Sequence, residues 1–288
     1  MNCSLCPRAC HAPRAAHEGS GVCAMGLLPV VARAARHDWE EPCISGTKGS
    51  GAVFFSGCSL RCVFCQNASI SADRQGAEVT IDRLRDIFAE LAAQGVHNIN
   101  LVTASHFAPA VGRALEPPPS VPVVWNSGGY DSEATLRSLE GKIQIWLPDL
   151  KYSDPRLAAE LSGAPDYPAV ARAAIREMFR QAGPYRLDEN GLLQSGVLIR
   201  HLVLPGYLDN TFSVLDWIAE TFRPGDVMVS LMGQYTPNGR GGPDRRLTPE
   251  EYARAVDYMK ALGLLEGYIQ ELDSAQSEYT PPFDGTGV

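Results

Sequence analysis

The chain has no apolar run approaching the ~20 residues of a membrane helix, so no bilayer partner is expected. Lysine and arginine never cluster beyond two in a row, and the formal net charge is −8. Both features argue against nucleic acid as the main partner, because affinity for a phosphate backbone comes from clustered cations. The start, Met1-Asn2-Cys3-Ser4-Leu5-Cys6, lacks the charged-then-apolar pattern of a secretory signal. Internal repeats and low-complexity tracts are also missing. Hydrophobic residues make up 45% and charged residues 20%, ordinary proportions for a globular protein. The 288 residues suffice for one large α/β domain and a small lobe. The chain is rich in thiols, with eight cysteines. Without a signal, reduced thiols in the cytoplasm are expected, not disulfides.

Three of the thiols fall in Gly57-Cys58-Ser59-Leu60-Arg61-Cys62-Val63-Phe64-Cys65, at C-x3-C-x2-C spacing. They follow the apolar run Ala52-Val53-Phe54-Phe55, which reads as a buried strand. The thiols therefore leave the carboxyl end of a strand on a short loop. Three thiolates can hold three irons of a [4Fe-4S] cube, which usually takes four. The fourth iron is left open, as a catalytic metal requires. Zinc loops usually pair C-x2-C with a second pair, and this spacing fits them poorly. The stretch resembles the cluster loop of the radical S-adenosylmethionine (SAM) superfamily, and Phe64, just before the last cysteine, also matches. The resemblance implies that SAM chelates the open iron. One electron then cleaves it to methionine and a 5′-deoxyadenosyl radical that abstracts hydrogen from a substrate.

Residues 1–50 form a separate compositional zone. Cys3, Cys6, Cys10 and Cys23 stand at C-x2-C-x3-C-x12-C. These four soft ligands suit either a tetrahedral zinc ion or a second iron–sulfur cluster. So short a segment buries little core, and a metal would hold it together. Cys43 is alone and is read as a small buried side chain. Residues 45–51, with three glycines, are read as a flexible lead-in to the first barrel strand.

Beyond the cysteine loop, strand and helix patterns alternate. Thr80 N-caps a helix with Leu84, Ile87, Phe88 and Leu91 on one stripe. Strands are expected over 98–103, 121–126, 143–147, 197–204 and 227–232, with a further one over 268–272. Helices are expected over 132–139, within 154–182, and over 211–222 and 249–262. Asn190-Gly191 marks a hairpin. Such alternation requires a parallel sheet. Six units are too few for an eight-stranded barrel, and they suit the partial (β/α)6 barrel that the resemblance implies. The expected organisation is a Cys-rich lobe over 1–50, a core over 51–265, and a strand and irregular tail over 266–288, with 279–288 as a strap.

Several expected strand ends resemble those of glycyl-radical-enzyme activating proteins, above all the pyruvate formate-lyase activating enzymes. Asp149-Leu150-Lys151 is similar to the family's D-x-K, which binds the SAM sugar and carboxylate. Asn126-Ser127-Gly128-Gly129-Tyr130 is similar to its D-T-N-G-F, with Asn126 in place of the acid. A plain glycine turn accounts for that stretch equally well. Arg200-His201-Leu202-Val203-Leu204-Pro205-Gly206 resembles the fifth-strand segment ending in V-P-G. By strand alternation Arg200 faces inward and His201 packs against helices. Tyr235 falls where the family carries a His near SAM, and Gln234 beside it is a second polar group at the strand end. Where the family has G-G-E-P, this chain has Ala104-Ser105-His106-Phe107-Ala108-Pro109, so the acid becomes Ala108. Ser105 and His106 are the expected substitutes, and His106 is a candidate acid–base group. Nearly end to end, the chain resembles a subgroup of these homologues with C-x-x-C-P-R-x-x-C near the start.

The expected function is a radical SAM enzyme, with Cys58, Cys62 and Cys65 on the cluster and Asn126, Asp149, Lys151, Arg200, Ser105 and Gln234 around SAM. The candidate catalytic residues are His106 and Tyr235. The substrate is a glycine of a partner protein or a small molecule, and a flavodoxin or ferredoxin donates the electron. The competing class is a non-catalytic iron–sulfur carrier or redox sensor. A zinc-stabilised interaction module is a third.

Overall fold

The computed structural model describes residues 3–272 and 280–288. Strand β1 (Val30–His37) leads through a one-turn helix, α1 (Pro42–Ser45), to β2 (Ser50–Phe55). After the cysteine loop come α2 (Ala68–Ser71), the two-residue β3 (Ala77–Glu78) and α3 (Ile81–Ala93). Next are β4 (Ile99–Val102), a 3-10 turn at Ser105–Phe107, α4 (Ala108–Ala114), β5 (Val123–Ser127) and α5 (Glu133–Ser138). β6 (Ile145–Pro148) is followed by α6 (Pro155–Ser162) and α7 (Tyr167–Ala182). The hairpin of β7 (Arg186–Leu187) and β8 (Leu193–Leu202) precedes α8 (Leu208–Thr221) and β9 (Met228–Met232). Helix α9 (Pro249–Ala261) and β10 (Gly267–Ile269) complete the alternation.

Local sequence explains these elements. Thr80 accepts the Arg83 N–H at the start of α3, whose stripe Leu84, Ile87, Phe88 and Leu91 is buried. Thr248 and Glu251 form a reciprocal capping box on α9. Gly191 takes φ +77° in the β7–β8 turn, a conformation open to glycine at little cost.

Among the described residues, β2, β4, β5, β6, β8, β9 and β10 pair in parallel in that spatial order. β1 adds antiparallel to β2, and the sheet ends at β3 on one side and β10 on the other. This is the expected α/β class, an open parallel sheet of the partial-barrel kind. The sheet runs across residue 50, because β1 belongs to the segment expected as a separate lobe yet pairs with β2.

Alternation along the strands separates two faces. Phe55, Leu101, Trp125, Trp146 and Leu231 share the main core with helix residues such as Ile87 and Ile218. Their neighbours Phe54, Val102, Val124, Leu147 and Leu198 pack in two smaller clusters on the inner face. Cys43 and Ile44 of α1 enter one of these clusters, and Asn98 Nδ2 fixes the Ile44 carbonyl at 2.7 Å. Cys43 is thus a packed side chain, 2% exposed. The flexible lead-in expected over 45–51 is corrected: Ser45 closes α1, and Ser50 and Gly51 already belong to β2.

The C-terminal strap runs along β1. Ala34 N–H donates to Thr286 O at 2.8 Å and Gly285 N–H to Ala32 O at 3.0 Å. Phe283 packs edge-on against Phe54 at 5.4 Å between ring centroids. Tyr279, the expected first residue of this strap, lies outside the described residues. Among the described residues no helix is long and apolar enough to cross a membrane.

Candidate active site

The cysteine loop leaves the carboxyl end of β2 through Gly57, at φ +79°. A Cβ there would come within 2.7 Å of Met25 Cγ, so glycine is required on both counts. Cys58, Cys62 and Cys65 are free thiols, and all three line one cavity of about 490 Å³. Ser162 donates to Cys62 Sγ at 3.0 Å and Ser71 to Cys65 Sγ at 3.3 Å. Burial pushes the Cys58 thiol up to about 12, and the neighbouring Cys62 and Cys65 add to the rise. Burial raises Cys62 as well, with the Lys151 charge opposing. Three thiolates crowded here would outnumber the Lys151 charge beside Cys62, and a bound metal would supply the remaining positive charge. Among the described residues no three His, Cys, Asp or Glu side chains close on a single ion. The three thiols on one cavity wall are a donor set of the kind a cluster uses, each thiolate taking its own iron.

Inner-face polar residues continue the cavity from β5, β6 and β8. Arg200 donates through Nε to Asp149 Oδ1 at 2.9 Å, through NH2 to Asn126 Oδ1 at 2.6 Å and through NH1 to Glu40 Oε2 at 3.2 Å. Lys151 Nζ reaches Asp149 Oδ2 at 2.5 Å. Burial alone would raise the Asp149 carboxyl, but the Arg200 and Lys151 charges outweigh it and hold it below the usual carboxylate range. For the same reason Lys151 and Arg200 are both shifted up against burial. Gly129, at φ +75°, lets the chain pass where a Cβ would collide with the Asp149 carbonyl. His201 turns outward, with Nδ1 2.6 Å from Leu150 O and Nε2 3.0 Å from Thr211 Oγ1.

Two acids missed in the sequence join this network. Glu40 Oε1 accepts from Asn100 Nδ2 at 3.0 Å and Asn126 Nδ2 at 3.2 Å. Glu41 Oε2 is shielded from solvent and has no hydrogen-bond partner among the described residues, while Ser230 bonds the same carboxyl. Burial raises the Glu41 carboxyl, Arg200 opposes this and Glu40 adds to it. Sequence offered only a weak signal, two adjacent acids before a proline, because nothing local says that α1 turns inward.

Other expected residues lie elsewhere. Ser105 Oγ bonds Asp131 Oδ1 at 2.5 Å, and His106 Nε2 bonds Ser56 O at 2.8 Å. Both are buried and outside the cavity wall. Burial depresses His106 to about 4, so it is neutral at physiological pH. The 3-10 turn, rolling into α4, points these side chains into the core. Tyr235 donates to Pro243 O at 2.7 Å and packs on Phe64 at 5.8 Å, bracing the cysteine loop without lining the cavity. Gln234 does line it, and its Oε1 accepts from Gln270 Nε2 at 2.9 Å.

The N-terminal thiols lie near enough to act on one another, though among the described residues no three of them close on a single ion. The Cys6 thiol, raised to about 11 chiefly by burial, also feels Cys23, Cys3 and Cys10. The N–H groups of Ala12 and Val22 bond Cys10. Arg8 ties this segment to the cysteine loop, donating to Ser59 O at 2.7 Å and Leu60 O at 3.1 Å.

The parallel open sheet, with three thiols at a strand end and charged inner-face groups near them, shares its fold with several solved structures. SuiB of Streptococcus suis, solved with S-adenosylmethionine, superposes with a TM-score of 0.51 at 13% identity, over 79% of this chain and 52% of that one. SuiB bound to its precursor peptide SuiA gives 0.50 at 15%, over 77% and 49%. The FeFe-hydrogenase maturase HydG from Carboxydothermus hydrogenoformans gives 0.51 at 15%, over 80% and 55%. In sequence, an uncharacterized protein of Methanocaldococcus jannaschii is 28% identical over 231 residues, 75% of this chain and 63% of that protein. The chain thus spans about half to under two thirds of the length of these proteins. No protein-family model matches it.

Proposed function

We propose that the chain is a radical SAM enzyme. The observation that carries the reading is one cavity joining three free thiols to a buried Asp149–Lys151–Arg200–Asn126 network. Cys58, Cys62 and Cys65 would hold three irons of a [4Fe-4S] cluster. When bound, cluster and SAM together supply a 5′-deoxyadenosyl radical that takes hydrogen from a substrate. Lys151 stands close enough to Cys62 to lower its proton affinity, and so favours thiolate at the cluster. Asp149 and Lys151 offer one acid and one amine to a zwitterionic cofactor, and Arg200, itself held by Asn126, fixes Asp149. Gln234 lines the same wall. Ser105 and His106 act at most by holding the backbone beneath it, since each is bonded inside the core.

The reading extends to a second metal centre on Cys3, Cys6, Cys10 and Cys23, zinc or iron–sulfur, supported by their mutual proximity and by backbone N–H groups on Cys10. A protein substrate, such as a glycine of a partner enzyme, is favoured by the cavity's exposed rim and by the peptide-bound structure of SuiB. A low-potential flavodoxin or ferredoxin in the cytoplasm would supply the electron. The test is anaerobic reconstitution with iron and sulfide, reduction, addition of SAM and quantification of 5′-deoxyadenosine, with Cys62→Ala alongside. Product from the wild type alone is expected. An intact cluster that leaves SAM uncleaved refutes the enzyme and supports an electron carrier or sensor.

A further inference from the structure

Arg8 stands between Cys6 and Cys10 in the N-terminal segment, yet its guanidinium reaches out of that segment into the active site. Nε donates to Ser59 O at 2.7 Å and NH2 to Leu60 O at 3.1 Å, both in the cysteine loop. NH2 also donates to Ser162 O at 2.9 Å, and NH1 donates to Gly163 O, at the end of α6. A helix leaves its last carbonyls unbonded, and a cation is well placed there. The guanidinium rests over the Tyr130 ring, 5.4 Å from its centroid, and Tyr130 stacks on the buried Tyr167 at 6.0 Å. The planar fork of an arginine spans carbonyls on two elements, which the single ammonium of a lysine cannot do as well.

Each end of this clamp carries a donor to a thiol of the loop. Ser59 O and the Leu60 N–H belong to one peptide unit, and that N–H donates to Cys58 Sγ at 3.4 Å. A cation on the oxygen of a peptide unit polarises it and strengthens its N–H as a donor. Ser162, held through its carbonyl, donates its hydroxyl to Cys62 Sγ at 3.0 Å, and Tyr152 Oη stands 2.7 Å from that hydroxyl. The loop and the helix end are also joined directly, Val63 N–H donating to Leu161 O at 2.9 Å.

We infer that Arg8 is a positioning residue of the active site: through Leu60 and Ser162 it sets the hydrogen bonds to the Cys58 and Cys62 sulfurs, and so raises the reduction potential of the cluster they hold. The inference rests on the reading that Cys58, Cys62 and Cys65 hold a cluster. Reduction adds a negative charge, and donors on the sulfurs favour the more negative state. The N-terminal segment thereby acts on the active site electronically, apart from any metal of its own.

The test is a redox titration of the reconstituted full-length protein, without SAM, followed by electron paramagnetic resonance. Arg8→Met should lower the midpoint by about 59 mV, a tenfold change in a one-electron equilibrium. That is the scale of one lost hydrogen bond to a charged group. Arg8→Lys keeps the charge without the fork, and its midpoint should fall between the two. A change in Arg8→Met under about twofold in that equilibrium, or a rise, overturns the inference. So does a lower Tm of the metal-free variant with an unmoved midpoint, which would make Arg8 a structural staple alone. Should Arg8→Met fail to fold or to assemble a cluster, Arg8→Lys decides: a lowered midpoint supports the role and a wild-type midpoint overturns it. A wild type that assembles no cluster refutes the cluster reading and this inference with it, whereas an unmoved midpoint in a loaded variant refutes the inference alone.

Discussion

Replacing Arg200 by Met removes one guanidinium from between Asp149, Asn126 and Glu40, at 2.9, 2.6 and 3.2 Å. The Arg200, Asp149 and Glu40 side chains are 15%, 13% and 9% exposed, so solvent cannot replace the lost charge. Stripping one partner from a buried ion pair costs about 3–5 kcal/mol. Lys151 stays beside Asp149 and the two asparagines stay beside Glu40, so the low end, about 3 kcal/mol, is expected. At about 2–4 °C per kcal/mol for a domain of this size class, the Tm should fall by about 6–12 °C. The loss should depend on pH. Asp149 has a folded pKa below its unfolded value. The stability it contributes is therefore complete above the unfolded value and vanishes as pH falls through the folded one. Arg200→Met weakens that contribution, so the gap to wild type should be widest above about pH 5 and narrow toward more acid solution. Anaerobic calorimetry of both proteins across pH measures this. A Tm loss under about 2 °C at neutral pH, or a gap that ignores pH, would refute the charge argument.

Two further outcomes follow from the same geometry. Burial holds His106 and His201 neutral, each depressed to about 4. Below the unfolded value near 6.5 the unfolded chain binds protons that the native one refuses, so each histidine should remove about 1.4 kcal/mol per pH unit down to its folded value. His201→Gln should make the acid limb of the Tm profile shallower, and an unchanged slope would contradict the assignment. Gly129→Ala should cost roughly 1–3 kcal/mol, because φ is +75° and the new methyl meets the Asp149 carbonyl. It should weaken SAM binding in calorimetry at the same time; unchanged Tm and affinity would show that the turn tolerates a side chain.

Much of the frame was legible because it is local. The run Ala52–Phe55, the capped stripe on α3, the Asn-Gly hairpin and the alternation beyond residue 80 each carry their own periodicity or turn chemistry. Period-two alternation also sent Arg200 inward and His201 outward, where the structure has them. Strand β1 was not legible: its polar residues, Arg33, Arg36 and His37, break the apolar pattern, and its pairing with β2 is what orders it. The inward turn of α1, which brings Glu40 and Glu41 to Arg200, depends on packing Cys43 and Ile44 against strands distant in sequence. Ser105, His106 and Tyr235 show the converse. Each sits near a strand end, but the 3-10 turn and the Phe64 contact direct them into the core.

The sequence by itself determined the parallel α/β order and the thiol loop, because strand and helix periods and cysteine spacing are properties of adjacent residues. It also set the Asp149–Lys151 pair, two residues apart on one strand end. Tertiary structure alone decided which charged groups share the cavity. Arg200 meets Asp149 across 51 positions and Glu40 across 160, distances over which only sheet closure and the burial of α1 bring side chains together. The charge balance of the site therefore exists only once the strands have paired and α1 has packed against them.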